Sequence, residues 1–421
     1  MAIVLRDSPE FIAAFLGAAK IGAIAVPLST LARPAEIDLM VRDSDARLVV
    51  TEADASFLAE GSGPVTAAPT RSDDMCFWQY SSGTTGGPKA VIHLHERSLA
   101  PARAHGRHIV GLRPDDRVYS TAKLFFSYGL QSSMIIPLAT GASVVLDPER
   151  FAAERSWALI ARERPTILYA VPTAYAGLLA AAEAGTPADV ASLRCCVSAG
   201  EALPEPLAQR WRSRFGLAIL DGMGSTEIGY IALSNTAGDV VPGSSGVPVP
   251  GYDARVVDDD GQDVTPGEPG TLWVRGPSTA QSYHARPERT AATFRDGWVI
   301  TGDRYQVRDG RYTHLGRDDD MLRVGAQWVS PAEVESVLAS HPGVLECVVV
   351  GRADHDGLTR PCAYIVPKAE SVGLAAELLE ACAQRLAQHK RPRWVEVVPA
   401  LPKTASGKVQ RYRLRQSAPQ A

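Results

Sequence analysis

Between two apolar runs lies Tyr80-Ser81-Ser82-Gly83-Thr84-Thr85-Gly86-Gly87-Pro88-Lys89. Glycine permits positive φ and close backbone approach. Backbone N–H groups and the hydroxyls of Ser81, Ser82, Thr84 and Thr85 can then converge on one anion, such as a polyphosphate. Lys89 adds a mobile positive charge. The spacing differs from the Walker pattern, because the lysine follows a proline and no Ser or Thr comes after it. The plain alternative is a polar hairpin between two strands.

Further stretches carry chemistry downstream. Ser198-Ala199-Gly200-Glu201-Ala202-Leu203-Pro204 follows a strand and precedes a helix. Open α/β sheets bind ligands there, outside the carboxyl ends of their strands, although ordinary βα turns share that form. In Asp221-Gly222-Met223-Gly224-Ser225-Thr226-Glu227 a carboxylate stands beside hydroxyls and glycines. Such a group can hold Mg²⁺ through water while the backbone passes a bound acyl phosphate. Ser-Thr-Glu is also a helix-capping pattern. Thr301-Gly302-Asp303 offers an acceptor-only carboxylate, or simply a turn. In Gly316-Arg317-Asp318-Asp319-Asp320 the guanidinium can pair with oxyanions, and the acids alone would read as a solvated turn. Pro402-Lys403-Thr404-Ala405-Ser406-Gly407-Lys408-Val409-Gln410-Arg411 sets a lysine on a Ser-Gly loop, where a basic tail is the alternative.

Taken in order from Tyr80 to Arg411, these motifs resemble the adenylate-forming superfamily of acyl-CoA synthetases, luciferase-like enzymes and carrier-protein adenylation domains. Ala90 stands where that family usually has glycine. Lys123-Leu124-Phe125-Phe126-Ser127-Tyr128-Gly129-Leu130 and His341-Pro342-Gly343-Val344-Leu345-Glu346 draw the likeness toward the benzoate–CoA ligase branch. The resemblance implies that Ser81, Ser82, Gly83, Thr84, Thr85, Gly86 and Lys89 bind the phosphates of ATP. Gly200, Glu201 and Ala202 would pack on adenine, with Asp221, Gly222 and Thr226 beside them. Glu227 would be the Mg²⁺ carboxylate, Asp303 would accept from the ribose hydroxyls, and Arg317 would pair with ribose or phosphate.

It further implies that a carboxylate attacks the α-phosphate with help from catalytic Lys408. The C-terminal domain then turns about a hinge at Asp319 and opens a thiol tunnel past Gly325, Ala326 and Gln327. Ala326 replaces a usual glycine and narrows that tunnel by a methyl group. The acyl pocket would comprise Phe126, Ser127, Tyr128, Gly222, Gly224, Gly229 and Tyr230. Tyr230 stands where benzoate ligases usually carry histidine, and Gly229 where they carry a bulkier residue. Aromatic walls suit a flat aryl acid. The hydroxyls of Ser127 and Tyr230 and the space at Gly229 point to a hydroxy- or aminobenzoate. ATP, Mg²⁺ and coenzyme A are the implied cofactors and partners, and the resemblance allows a homodimer. A carrier-protein phosphopantetheine is the alternative acceptor, and a truncated, non-catalytic nucleotide binder is the contrasting class.

The elements that must position these residues are legible too. Short apolar strands alternate with helices such as Pro9–Lys20, where Ser8 is a plausible cap and Phe11, Phe15, Leu16 and Ala19 form the apolar face. Alternation of this kind predicts a parallel α/β sheet. Pro- and Gly-punctuated short runs from 243 to 317 predict a β-rich part, and a compact α+β segment follows. The expected fold is therefore α/β: a large N-terminal domain of layered sheets over 1–317 and a small mobile α+β domain over 318–421. Relative to the family the chain begins late, so an open sheet edge or exposed apolar surface is expected near its start. A net charge of −4 without a basic run excludes a nucleic-acid footprint. No apolar stretch approaches the roughly 20 residues of a membrane span, and no signal peptide is read. Six cysteines without a C-x-x-C favour reduced thiols in the cytoplasm. His93 and His95 share a strand face, but packing or loop support suits them better than metal binding, since zinc needs three protein ligands.

Overall fold

The computed structural model describes residues 1–54, 63–81, 88–318, 320–324, 327–355, 358–369, 373–403 and 409–416. Its central sheet has seven strands in the order Val247–Pro248, Ile231–Ser234, Ile219–Gly224, Cys195–Ser198, Ile167–Ala170, Arg117–Ser120 and Ser143–Val145. The last five run parallel. Side chains alternate across a strand, and both faces of this sheet are covered. Leu168, Ala170 and Cys196 pack with Trp157, Leu178 and Trp211 of the helices Ala153–Glu163, Pro172–Glu183 and Glu205–Phe215. Ile167, Tyr169, Cys195 and Val197 face the opposite core with Ile136, Tyr230 and Tyr252. Burial on both sides explains why these strands read as unbroken apolar runs.

A smaller parallel sheet sets Ala2–Val4 between Val26–Pro27 and Val49–Thr51. Ala25 bridges to Phe77, which joins this sheet to the antiparallel hairpin Met75–Ser81 and Lys89–Leu94. Among the described residues no strand pairs with the other edge, and Leu48 and Val49 are exposed there. In the helix Pro9–Lys20 the Ser8 hydroxyl accepts from the Phe11 amide at 3.3 Å, as its sequence suggests. The buried face is Phe11, Ala14, Phe15 and Ala18; Leu16 points to solvent, a correction to the predicted stripe. Backbone packing around the pocket also departs from regular helix, with π-helical turns at Ala102–Ile109 and Gln131–Ile135.

From 253 to 317 the chain forms the antiparallel strands Asp253–Val257, Gly270–Arg275, Phe294–Arg295, Trp298–Arg308 and Arg311–Arg317. The helix Pro287–Thr293, not anticipated in the β-rich stretch, interrupts them. Beyond 318 a hairpin, Leu322–Val324 with Gln327–Val329, precedes the three-stranded sheet Val344–Ala353, Thr359–Pro367 and Trp394–Val397. Helices Pro331–Ala339 and Leu374–Arg385 cover that sheet.

Beneath the segment bearing Phe126 and Tyr128, the buried Asp7 carboxylate accepts from the Leu124 amide at 2.8 Å. The Lys123 ammonium donates to the Asp147 carbonyl at 2.6 Å. Burial raises the Asp7 pKa to about 6, against a smaller opposing pull from Lys123. The folded state therefore prefers the protonated acid. Its contribution is complete below the unfolded carboxylate pKa and is lost as pH rises through about 6. Asp7→Asn keeps an acceptor for Leu124, so the variant is expected to be about 2 kcal/mol more stable at pH 7. That advantage should vanish toward pH 4, as read by urea unfolding across the range.

Candidate active site

The register of the hairpin brings Ser81 opposite Lys89, at the two ends of the glycine-rich loop. Both side chains reach the same carboxylate. The Ser81 hydroxyl donates to Glu227 Oε1 at 3.2 Å, and Lys89 Nζ lies 3.9 Å from that oxygen. A third residue, Tyr283, completes the cluster. Its hydroxyl donates to Glu227 Oε1 at 2.9 Å and accepts from Lys89 Nζ at 3.1 Å. The ammonium also sits 4.4 Å from the Tyr283 ring centroid. Burial lowers the Lys89 pKa and Glu227 opposes that shift, while Arg289 and Arg317 are close enough to lower it further. Glu227 is itself mostly buried. A desolvated carboxylate of this kind is tolerable only when paired and hydrogen-bonded.

Glu227 sits in the turn after the strand Ile219–Gly224. That turn is not a capped helix; the Ser225 hydroxyl accepts from the Ile228 amide at 3.2 Å. His93 supports it from beneath. Its ring is buried, stacks on Phe77 at 4.6 Å between centroids and bonds to the Thr226 backbone. Burial holds its pKa down at about 4, so the imidazole is neutral. Among the described residues no group of three His, Cys, Asp or Glu could hold a metal.

Asp221 pairs in register with Ser198, so the Gly200-Glu201-Ala202 turn and Asp221-Gly222 lie side by side at the carboxyl ends of parallel strands. Asp221 is buried beside Ser198 and the backbone of Leu203 and Gly222. Burial raises its pKa well above the usual carboxylate value. Asp303 lies opposite Arg317 in the β-rich sheet, and their side chains pair at 3.4 Å. The Thr301 hydroxyl accepts from the Asp303 amide at 3.1 Å and donates to the Leu272 carbonyl at 2.8 Å, which fixes the turn. Tyr305, Leu272 and Val274 of this sheet pack in one core with Leu220 and Leu233 of the central sheet.

The expected acyl residues also come together. The Ser127 hydroxyl donates to the Gly229 carbonyl at 3.2 Å. The Tyr128 and Tyr230 rings lie 6.1 Å apart. Phe126, two residues before Tyr128, sets its ring against Phe125 at 4.6 Å. Two expectations need correction. The Ser127 proton is engaged with Gly229, so that hydroxyl offers only lone pairs. Gly229 does not leave room for a substrate: a Cβ there would lie 2.6 Å from the Ser278 carbonyl oxygen, at a φ of +88°. Gly224 is likewise required by contact, since its Cβ would meet the Tyr230 carbonyl oxygen at 2.1 Å. Both glycines close the turn that carries Glu227 and Tyr230.

Ser82, Gly83, Thr84, Thr85, Gly86, Asp319, Gly325, Ala326 and Lys408 lie outside the described residues. Gln327 begins the strand Gln327–Val329 and pairs with Val324. On either side of position 319, Asp318 lies 3.6 Å from Arg304, and Asp320 pairs with Arg411 and Arg415. Sequence reasoning missed Tyr283 and Ser278. Nothing in Gln281-Ser282-Tyr283-His284 marks a site by residue type, and only the bridge from Tyr283 to Val91 brings it to the cradle.

A layered α/β body with its ligand-facing turns at the strand ends, and a carboxylate held against a glycine-rich hairpin, define a nucleotide-dependent enzyme. The AMP-binding enzyme family matches residues 1–284, and the AMP-binding enzyme C-terminal domain matches 333–408. The chain belongs to this family. It is 44% identical to the benzoate–CoA ligase of Thauera aromatica, over 98% of this chain and 85% of that protein. It is 41% identical to the 4-hydroxybenzoate–CoA/benzoate–CoA ligase of Rhodopseudomonas palustris, over 99% of this chain and 84% of the relative. The anthranilate CoA ligase AuaEII, solved with anthranoyl-AMP, superposes with a TM-score of 0.95 at 40% identity, covering 99% of this chain and 87% of that one.

Tyr283→Phe removes one hydrogen bond from Glu227 and keeps the ring under Lys89. It is expected to lower kcat/KM for adenylate formation about tenfold, the worth of one charge-assisted bond. Pyrophosphate exchange with purified variant and parent measures this.

Proposed function

We propose that the enzyme activates an aromatic carboxylic acid with ATP and transfers the acyl group to coenzyme A. The observation that carries this reading is the Glu227 cradle, in which Ser81, Lys89 and Tyr283 gather at the mouth of the phosphate-binding hairpin. The substrate carboxylate attacks the α-phosphate, its oxygen–phosphorus bond forms, and pyrophosphate leaves. Lys89 and the hairpin hold the leaving phosphates, and Lys408 neutralises the charge that develops at the α-phosphate. Such electrostatic placement supplies most of the barrier reduction in this chemistry. The thiol of coenzyme A then attacks the acyl carbon and AMP departs.

Mg²⁺ fits this arrangement. Glu227 is a hard oxygen donor beside the phosphate hairpin, and Mg²⁺ in nucleotide sites is held by one or two carboxylates together with substrate phosphates. When bound it would neutralise phosphate charge, and Glu227 would hold it. We set the boundary of the two bodies near Arg317–Asp319, with the second turning about Asp319 between the half-reactions. A cytoplasmic location agrees with six cysteines that are all free thiols. No described helix is long and apolar enough to cross a membrane. The resemblance allows a homodimer.

For the acid, we favour hydroxy- or aminobenzoate, as relatives named for 4-hydroxybenzoate and anthranilate suggest. ATP–pyrophosphate exchange with benzoate and its 2-, 3- and 4-hydroxy and amino forms tests this. A substituted acid should exceed benzoate in kcat/KM by about tenfold or more. Lys408→Ala should cut exchange by about 10² or more, as loss of a preorganised charge at the transition state does. AMP release that does not depend on added coenzyme A would remove the thioester step from the proposal.

A further inference from the structure

Packed against Tyr128 of the expected acyl pocket is a group of buried rings. His105, in the π-helical stretch Ala102–Ile109, is fully buried, and neither ring nitrogen has a hydrogen-bond partner among the described residues. Its ring meets Tyr230 edge to face, with centroids 5.3 Å apart. Tyr230 and Tyr169 are also buried, and their hydroxyls lie against each other without either making a well-formed hydrogen bond. Tyr128 packs on both, at 6.1 Å from each centroid. The Tyr128 hydroxyl itself is committed, donating to the Val197 carbonyl at 3.0 Å.

Both ring nitrogens of His105 thus lack partners among the described residues, and the Tyr169 and Tyr230 hydroxyls have only each other. A buried polar atom left unsatisfied costs about 1–3 kcal/mol, and a side chain with every polar atom unpaired calls for a ligand or a water. Burial drives the His105 pKa down to about 3, so the imidazole carries one donor and one acceptor and no charge. The nearby Arg194 guanidinium is neutralised by Asp116, at 2.5 and 2.8 Å, and also donates to the carbonyls of Val110 and Gly111. A ligand group here must be uncharged and able both to donate and to accept. A ring hydroxyl or amino group, directly or through one water, satisfies that requirement. A second ring carboxylate does not.

We propose that His105 determines which aryl acid is accepted: with Tyr230 and Tyr169 it forms an uncharged hydrogen-bonding end to the acyl pocket, matched to a hydroxyl or amino substituent on the ring. The inference rests on the aryl-acid reading of this site and deepens it.

The test compares kcat/KM in ATP–pyrophosphate exchange for benzoate, for the six hydroxy- and aminobenzoates and for isophthalate. It uses the parent and the variants His105→Phe, His105→Gln and Tyr230→Phe. In His105→Phe the ratio of the preferred substituted acid to benzoate should fall about 10- to 100-fold. His105→Gln, which restores a donor and an acceptor, should recover most of that ratio. Tyr230→Phe removes only an oxygen and should lower the ratio in the same direction, which keeps the test valid if the larger change at 105 unfolds the chain. Ratios unchanged in both His105→Phe and Tyr230→Phe would overturn the proposal, as would a parent that prefers benzoate or isophthalate. Absence of exchange with every aryl acid would instead remove the ligase reading itself, so the two failures are separable.

Discussion

The most constraining interaction in this molecule is the one around Glu227. A carboxylate removed from water needs donors, and here they come from places far apart in the chain. Ser81 is 146 residues away and Tyr283 is 56. The turn that bears Glu227 grows from the central sheet, Ser81 and Lys89 end the strands of a separate hairpin, and Tyr283 lies within the β-rich part, between Gly270–Arg275 and Phe294–Arg295. Meeting one carboxylate fixes the relative placement of all three. The same convergence puts an anion-binding hairpin, a metal-competent oxygen and a cationic side chain at one mouth.

Close backbone approach makes that convergence possible. Gly224 and Gly229 bracket the Glu227 turn, and neither position has room for a Cβ. Ser278 presses its carbonyl oxygen against Gly229, while its hydroxyl donates to the Ile228 carbonyl at 2.6 Å. The turn is clamped by Ser278 at the Ile228–Gly229 peptide. In this way the β-rich part acts on the acyl side of the site as well as on the Asp303 side.

The two ends of the substrate site differ in electrostatic character. The end expected to take phosphate gathers Lys89, Arg317 and Arg289 around acids. The aryl end holds rings and a neutral imidazole, with its one nearby guanidinium internally paired. Low dielectric around uncharged groups makes hydrogen-bond complementarity, rather than attraction between charges, the means of selecting a ring.

Much of this was legible in the chain itself. Strand–helix alternation, the Ser8 cap, the glycine–hydroxyl run, Asp221 to Glu227 and Thr301 to Asp303 are local patterns, and local sterics and hydrogen bonding decide them. Pattern could not say which side chains meet. Leu16 has the right period for the core face, yet neighbouring packing leaves it in solvent. Gly229 reads as empty space in one dimension, whereas Ser278 from 49 residues away occupies that space. Tyr283 and His105 carry no motif and gain their significance only from contacts across more than 50 residues or from burial without partners. Residue type and spacing therefore determined the class of chemistry, because phosphate and carboxylate recognition use short contiguous motifs. Tertiary structure alone decided which hydroxyls are committed and which remain available, because that depends on long-range packing that no local pattern encodes.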